Sequence, residues 1–179
     1  MESVILVDEN DVPVGSMEKL DAHRKGQLHR AFSVFLFDEA GRWLLQQRAF
    51  DKYHSGGLWT NSCCSHPRPG ESVLAAAHRR LGEELGCVDV GQLSPAFTFI
   101  YNAALDHGLT EHELDHVLIG RVEATQFQPA LNPIEVAATR WISSPELQAE
   151  LTAHPERFTV WFQAAFARVL ALASRPAES

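Results

Sequence analysis

The chain has 179 residues, of which 45% are hydrophobic and 21% charged, and its formal net charge is -8. This length and composition predict one globular domain with its own core, and the charge disfavours nucleic acid or an anionic membrane as a partner. No stretch approaches the roughly 20 apolar residues of a membrane span, and the first residues lack the features of a secretory signal. Three cysteines, two of them adjacent at Cys63 and Cys64, do not make a disulfide framework, so a cytoplasmic protein is expected.

The first third of the chain predicts three short strands and a loop. Residues 4–7 form an apolar run that ends in a polar turn, and residues 30–39 have a strongly β-like composition. After a turn at Glu39 to Gly41, residues 42–48 are predicted to return as the second strand of a hairpin. Residues 50–70 are rich in glycine and proline and lack a sustained period, which indicates a structured loop.

The middle of the chain predicts one amphipathic helix. Ser72 is suited to cap its start, and Gly86 is suited to end it just after Leu85. Its apolar residues recur at three- and four-residue spacing, which predicts one buried stripe formed by Leu74, Ala77, Leu81 and Leu85.

The remainder predicts three more strands, near residues 96–103, 115–124 and 136–143. A short helix is expected to open at Ser144, and a last amphipathic helix is expected from about Glu156 to Ala173. The chain has no internal repeat, low-complexity run or linker. We therefore predict a single α/β (α+β) domain over residues 1–179, a mixed sheet flanked by helices that lie mostly after the third strand.

The segment from His112 to His116 matches H-E-x-x-H, the signature of zinc proteases, which requires a helix. Its flank alternates in polarity and is rich in β-branched residues, which predicts a strand that begins near Glu111. In a strand, Glu111, Glu113 and Asp115 share one face and the two histidines share the other. This disfavours a metalloprotease. It leaves two carboxylates on one face, either as a functional pair or as a solvated strand start.

Residues 71–87 read ESVLAAAHRRLGEELGC. With Glu83 and Glu84 in register, this segment resembles the Nudix box, G-x5-E-x7-R-E-U-x-E-E-x-G-U, where U is aliphatic. The box glycine is replaced by Ser65, and the glutamate after the arginine is replaced by Arg80. Nudix hydrolases use that glutamate to hold the magnesium that activates water, so Arg80 argues against a hydrolase. A Nudix hydrolase of a small organic or nucleoside diphosphate remains the alternative, and surface carboxylates remain the plainer interpretation of the two glutamates.

Three segments indicate a branch of this superfamily: WTNSCCSHP at 59–67, RRLGEELG at 79–86, and Tyr101 followed ten residues later by Glu111. On these residues the chain resembles type I isopentenyl-diphosphate isomerase over nearly its whole length. The resemblance implies a Nudix-type mixed β-sheet flanked by helices. It implies an enzyme that interconverts isopentenyl and dimethylallyl diphosphate through a tertiary carbocation. The expected partner is a small diphosphate, without nucleic acid or membrane, for a monomer or weak dimer.

The resemblance also implies two metal sites. The first takes three histidines and two glutamates, at His23, His29, His66, Glu111 and Glu113. Imidazole and carboxylate together suit Mn²⁺, Zn²⁺ or six-coordinate Mg²⁺. The second is Mg²⁺ bound with the diphosphate, for which the matching carboxylate is Glu84. The other histidines have no such support and are predicted to be structural: His54, His78, His107, His112, His116 and His154.

Fixed cations are needed to bind a diphosphate to an acidic chain. The matching basic positions are Lys19, Arg48, Lys52 and Arg80, each of which has surface solvation as its plainer interpretation. Arg80 would then act as a phosphate clamp in place of a hydrolytic metal ligand.

The resemblance implies catalytic roles for four residues: Cys64, Glu113, Tyr101 and Trp161. We expect Glu113 to protonate the alkene with support from Tyr101, and Cys64 to act as the base across the substrate. The reaction is reversible, so which of the two acts first is left open. Trp161 offers a cation–π partner for the carbocation, or is a core aromatic. A non-catalytic binding module would have no reason to keep Cys64 and Glu113 in register.

Overall fold

A mixed sheet organises the part of the chain that the computed structural model describes, residues 1–87 and 89–174. In that part its nine strands are β1 (Ser3–Val7), β2 (Pro13–Glu18), β3 (His29–Phe37), β4 (Trp43–Arg48), β5 (Trp59–Thr60), β6 (Cys63–Ser65), β7 (Ser94–Ala104), β8 (Thr110–Arg121) and β9 (Val136–Ile142). The helices are α1 (Lys19–Lys25), α2 (Val73–Leu85), α3 (Ser144–Ala153) and α4 (Val160–Ala173). The predicted fold class, a mixed sheet flanked by helices, is confirmed.

Strand β3 is the central element, and its nearly continuous apolar sequence suits a strand covered on both faces. It pairs in parallel with β8 over its whole length, from His29 opposite Glu113 to Phe37 opposite Arg121. This register brings a histidine and a carboxylate that are far apart in sequence to one end of the sheet.

The predicted hairpin of β3 and β4 is correct at its turn and wrong beyond it. Within the described residues these strands pair at Phe37 and Trp43, after which β4 pairs with β9 and β5. The segment 59–65 lies between the two strands, because β5 pairs with β4 while β6 pairs with β3. The Ser62 hydroxyl donates to the Leu44 carbonyl and accepts from the Leu36 amide, which satisfies both strands where they separate. The predicted loop thus carries Cys64 into the sheet.

Helix α2 follows its prediction closely. The Ser72 Oγ accepts the Ala75 amide at the start, and Gly86 adopts a left-handed conformation at the end. Its buried face consists of Ala76, Ala77, Leu81, Glu84 and Leu85. Leu74 lies in the first turn and is 41% exposed, so the predicted stripe is wrong at that residue.

Two elements were missed in the sequence analysis, and one helix begins later than predicted. Strand β2 and helix α1 had no counterpart in the sequence analysis, although α1 carries the buried His23. Helix α4 begins at Val160 instead of 156, because Pro155–Arg157 forms a separate turn and the Thr159 hydroxyl caps the helix.

The single-domain prediction for residues 1–179 includes positions outside the described ranges and stays a prediction. Within those ranges, no helix combines the length and apolarity needed to cross a membrane.

Replacing Gly86 by alanine is expected to destabilise the fold by about 1–3 kcal/mol. The φ angle of Gly86 is +66°, a left-handed conformation that is strained for a residue with a Cβ. A Cβ at this position would also lie 2.8 Å from both Cβ and O of Ala130. Ala130 approaches so closely because its amide donates to the Leu85 carbonyl at the helix end. The free energy of unfolding in urea measures the effect.

Gly82 provides the matched control, since it lies inside the same helix and a Cβ there meets nothing closer than 3.8 Å. Gly82→Ala is expected to stabilise the protein by up to about 1 kcal/mol. Equal effects of the two substitutions would contradict the left-handed cap.

Candidate active site

One cavity, with about 460 Å³ of empty space including its open mouth, gathers most of the predicted site residues. Elements from all parts of the chain form its walls. The predicted residues that line it are Lys19, Arg48, Lys52, Cys64, His66, Arg80, Glu84, Tyr101, Glu111, Glu113 and Trp161. His23 and His29 lie behind this wall and are both fully buried. All the predicted site residues therefore come together at one end of the sheet.

The inner end of the cavity holds a tight group of imidazole and carboxylate donors. The Nε2 atoms of His29 and His66 are 3.3 Å apart, and Oε1 of Glu113 lies 3.4 Å from the first and 2.8 Å from the second. His23 joins them, because the donor atoms of His23, His29, His66 and Glu113 all lie within 4.8 Å of one another. These are ligand types that divalent transition metals share.

Backbone carbonyls orient two of these rings. The Nδ1 atom of His23 lies 2.7 Å from the Lys19 carbonyl oxygen, and Nδ1 of His29 lies 2.8 Å from the Gln27 carbonyl oxygen. A carbonyl oxygen can only accept, so each Nδ1 donates in this contact and Nε2 is left as the ring atom that faces the cluster. Such second contacts are typical of metal-binding histidines.

Two buried atoms of the cluster lack a hydrogen-bond partner among the described residues: Nε2 of His23 and Oε2 of Glu111. Leaving such atoms unpaired is costly in a protein interior. A divalent cation would satisfy both atoms. It would also lie between the Nε2 atoms of His29 and His66, which otherwise face each other. The donor set therefore fits a metal ion.

The two glutamates of the cluster differ in protonation. Burial and the neighbouring Glu113 charge raise the pKa of Glu111 to about 8, despite the opposing contact with His23. Burial opposes ionisation of Glu113 as well, but the hydrogen bond from Glu111 and the surrounding histidines hold its pKa well below the usual range. One of the two carboxyls therefore keeps its proton until a cation stabilises both charges.

Cys64 lies in a socket of polar side chains. Its Sγ donates to Oδ1 of Asn61 at 2.8 Å and accepts from Nε1 of Trp161 at 3.0 Å, and the Ser33 hydroxyl lies 3.6 Å away. Burial, together with the charge of Asp115, raises the pKa of the Cys64 thiol to about 12. The sulfur therefore carries a proton at neutral pH in this arrangement.

Glu113 also contacts Tyr101, whose hydroxyl donates to Oε2 of Glu113 at 2.6 Å. Burial and the Glu113 charge raise the pKa of Tyr101, so its hydroxyl keeps its proton. The predicted base, Cys64, is thus protonated while the predicted acid, Glu113, is ionised. If Glu113 is the acid and Cys64 the base of the forward reaction, as predicted, these protonation states precede the reverse reaction. If the two roles are exchanged, the same protonation states precede the forward reaction.

The predicted basic residues form one wall, where three of them meet carboxylates. Lys19 pairs with Glu2 at 2.5 Å, and Lys52 pairs with Glu135 at 2.6 Å. Arg80 contacts three glutamates: Glu83 at 2.6 Å, Glu84 at 2.8 Å and Glu135 at 3.5 Å. The Nε atoms of Arg48 and Arg80 are buried without a hydrogen-bond partner in the described part of the chain. These donors suit an anion entering the cavity.

Several neighbours of the site were missed in the sequence analysis. His54, predicted to be structural, is 3% exposed, and its Nε2 lies 3.2 Å from Oε1 of Glu111. Burial and the Arg48 charge lower the pKa of His54 to about 3, so its ring is neutral. A single histidine in a glycine-rich loop carries no sequence signal for this placement.

Asp115 is a second neighbour of the site that the sequence analysis did not assign to it, although the strand pattern indicated its position. It shares a strand face with Glu111 and Glu113, is 1% exposed, and accepts the Ser33 hydroxyl at 2.6 Å. The strand alternation is confirmed, since His112 and His116 contact different partners, the Gly26 carbonyl and the Asp11 carboxylate. The H-E-x-x-H match therefore lies on a strand, and its two histidines contact different parts of the described structure.

Comparison with known proteins agrees with this arrangement. A sequence model of the NUDIX domain family matches residues 27–162. A protein from Deinococcus radiodurans has a TM-score of 0.75 at 23% identity, covering 97% of this chain and all of that one. The Nudix hydrolase RenU from M. smegmatis has a TM-score of 0.60 at 20% identity, covering 98% of each chain. The fold is therefore that of a NUDIX protein.

Curated relatives narrow the assignment. The isopentenyl-diphosphate Delta-isomerase of Pectobacterium atrosepticum is 53% identical over 171 residues, which cover 94% of this chain and 92% of that protein. The isopentenyl-diphosphate Delta-isomerase 2 of Photorhabdus laumondii is 51% identical over 164 residues, covering 90% and 89%. The chain belongs to the isopentenyl-diphosphate Delta-isomerase family of NUDIX proteins, which confirms the resemblance inferred from its motifs.

Proposed function

We propose that this chain interconverts isopentenyl diphosphate and dimethylallyl diphosphate. The observation that carries the proposal is the convergence of Cys64, Glu113 and a wall of basic side chains on one cavity. An alkene needs proton-transferring groups of this kind, and a diphosphate needs fixed cations. The activity printed in the names of the curated relatives is the same.

The hydrolase alternative is less well supported because of Arg80. Its two terminal nitrogens contact Glu83 and Glu84, the carboxylates that a Nudix hydrolase would use to hold magnesium. A guanidinium at this position replaces one carboxylate ligand and pairs with one oxygen of each of the other two, so the three-carboxylate cluster of a hydrolase is not formed. It is available instead to a phosphate group that enters the cavity beside it.

Two divalent ions complete the proposed site. His23, His29, His66, Glu111 and Glu113 would hold the first, which we propose to be Mn²⁺, Mg²⁺ or Zn²⁺. When bound, this ion supplies positive charge that fixes the glutamates. Mg²⁺ would accompany the diphosphate through Glu84, whose Oε2 accepts from Nε2 of Gln46 at 3.1 Å and whose Oε1 meets Arg80.

The proposed reaction moves one proton on to the substrate and another off it. Glu113, supported by the Tyr101 hydroxyl, and Cys64 exchange these protons with the two ends of the allylic unit. Protonation of the terminal methylene leaves a tertiary carbocation, and loss of a proton from the carbon next to the oxygen-bearing one forms the new double bond. Each group is an acid in one direction and a base in the other, so the protein returns to its starting state when the reaction reverses.

We propose that Trp161 stabilises the carbocation. Its Nε1 donates to Cys64 Sγ, which places the indole beside a reacting group. The Arg48 guanidinium lies 5.3 Å from the ring centroid, so the ring is reachable by a cation inside this cavity. Cation–π contacts of this kind are worth about 2 kcal/mol or more where water is excluded. We further propose a cytoplasmic monomer or weak dimer that acts without nucleic acid or membrane.

Proton NMR of the purified protein with isopentenyl diphosphate and Mg²⁺ in heavy water tests the function. The expected result is accumulation of dimethylallyl diphosphate with deuterium in a methyl group. An unchanged carbon skeleton with free phosphate would replace the proposal with a hydrolase. No reaction of metal-loaded protein would overturn the proposed substrate.

Arg80→Glu is expected to weaken binding of inorganic diphosphate at least tenfold, about 1.4 kcal/mol, because it replaces an attractive charge in the cavity wall with a repulsive one. Isothermal titration in the presence of Mg²⁺ measures the affinity. Arg79→Ala is the control, since Arg79 is next to Arg80 but pairs with Glu71. Unchanged or tighter diphosphate binding by Arg80→Glu would contradict the clamp.

A further inference from the structure

The basic wall of the cavity is already largely neutralised by carboxylates. Three of its four cations, Lys19, Lys52 and Arg80, each pair with a glutamate. The fourth, Arg48, has no carboxylate within ion-pair distance in the described part of the chain. Glu135 is shared by two of the cations, since its Oε2 lies 2.6 Å from Nζ of Lys52 and 3.5 Å from a terminal nitrogen of Arg80. An entering anion therefore meets cations that already have counter-ions.

The backbone of Glu135 is held on both sides. Its amide donates to the Asn132 carbonyl at 3.0 Å, and its carbonyl accepts from the Ala49 amide at 3.0 Å. The Asn132 amide in turn donates to the Glu84 carbonyl at 2.9 Å, which connects this loop to α2, the helix that carries Arg80. The Glu135 side chain is 21% exposed and lines the cavity. Its carboxylate is therefore a fixed part of the basic wall.

The charge of Glu135 acts differently on the empty wall and on a bound anion. In the empty wall, burial lowers the pKa of Lys52, and the ion pair with Glu135 opposes this shift and keeps the ammonium charged. Once an anion enters, the same carboxylate lies beside the cations that bind it and repels it. The repulsion is greatest for a free diphosphate. It is smaller for a diphosphate that carries a divalent cation, because the cation neutralises two negative charges and is itself attracted by the carboxylate.

We propose that Glu135 is a specificity-determining residue, which makes the cavity select a diphosphate complexed with a divalent cation over the free anion. This inference deepens the diphosphate site of the proposed function and rests on that function. Glu135 acts here through its charge and not as a ligand of the ion, since its Oε2 is occupied by Lys52. One side chain thus lowers the affinity for the free anion and raises the affinity for the complex.

Isothermal titration with inorganic diphosphate, with and without Mg²⁺, tests the assignment. The protein is first loaded with one equivalent of Zn²⁺, so that the imidazole cluster starts in the same state in both titrations. The wild-type protein is expected to bind the magnesium complex at least about tenfold more tightly than free diphosphate.

Glu135→Gln keeps an oxygen that can accept from Lys52 and removes the negative charge. Its affinity for free diphosphate is expected to rise at least about tenfold, while its affinity for the magnesium complex stays the same or falls. The ratio of the two affinities is therefore expected to shrink. Circular dichroism and thermal unfolding verify that the variant is folded.

Glu150→Gln is the matched control. It makes the same change in net charge and removes an ion pair of the same length, since Glu150 lies 2.6 Å from a terminal nitrogen of Arg140. These two side chains connect α3 to β9 and do not line the cavity. Both affinities are expected to equal those of the wild-type protein, which separates the local effect of Glu135 from the effect of overall charge.

Two results overturn the assignment. The first is a wild-type protein that binds free diphosphate as tightly as its magnesium complex, whatever the variants do. The second is a folded Glu135→Gln protein that does not bind free diphosphate more tightly. If that variant bound both forms more weakly, Glu135 would be a residue that holds Lys52 and Arg80 in position for phosphate.

The titrations contain no isopentenyl group, so the two proposals can fail separately. An active isomerase that does not distinguish the two forms of diphosphate overturns only the role of Glu135. Selective binding of the magnesium complex, lost in Glu135→Gln, by a protein that does not convert isopentenyl diphosphate overturns the proposed function and leaves the role of Glu135 in place.

Discussion

Replacing Cys64 by alanine is expected to lower the rate of dimethylallyl diphosphate formation by about 10²–10⁴-fold, the usual contribution of a positioned acid or base. The Cys64 thiol carries a proton in its polar surroundings. Alanine has no group that can donate or accept this proton. Asn61 and Trp161 would lose their partner at the sulfur. The measurement is the initial rate in both directions, with circular dichroism and thermal unfolding to verify the fold.

Cys63→Ala is the control, because the neighbouring thiol is fully buried in the core that packs against α2. It is expected to lower the melting temperature modestly through a small cavity while keeping most of the turnover. Near-normal activity in Cys64→Ala together with loss in Cys63→Ala would move the reacting sulfur by one residue and contradict the proposed site.

Glu113→Gln is expected to reduce turnover by about 10³-fold or more, because in the proposed site Glu113 is both an acid–base group and a negatively charged metal ligand. The amide is nearly isosteric, so the contacts with Tyr101 and His66 have room to persist in altered form. Metal content after dialysis should fall together with the rate. Both quantities are measured on the same preparation, by elemental analysis and by the isomerase assay.

The turnover of Glu83→Gln distinguishes an isomerase site from a hydrolase-type metal cluster. Glu83 is the exposed box carboxylate, and its contacts are with Arg79 and Arg80. The isomerase site leaves it outside the chemistry, so most of the turnover should remain. Loss of activity in Glu83→Gln comparable to that in Glu113→Gln would indicate that the box carboxylates hold a catalytic metal.

Patterns of short range were readable from the sequence because their physical cause is local. The period of two in β8 follows from strand geometry, and it placed Glu111, Glu113 and Asp115 on one face before any partner was known. The cap residues Ser72 and Gly86 delimit α2 because they satisfy the ends of that helix alone. Motif resemblance added candidate metal ligands and candidate reacting groups, and these side chains lie together in the structure.

Other features were decided by partners distant in the chain. The separation of β3 from β4 depends on segment 59–65 entering between them, and residues 42–48 give no indication of it. Helix α1 is a seven-residue element, too short to be stable by propensity alone, and it is held by its contacts. His23 is buried because that helix docks on the sheet end.

The chemistry of the site shows the same division. The sequence by itself predicted which side chains react, because the motifs that carry the resemblance hold particular residue types at fixed spacing. The tertiary structure alone decided their environment: the burial that keeps the Cys64 thiol protonated, the carboxylates that pair with Lys52 and Arg80, and the loop that brings His54 to Glu111. Burial and charge depend on distances between residues that are far apart in the chain, and these distances exist only in the folded protein.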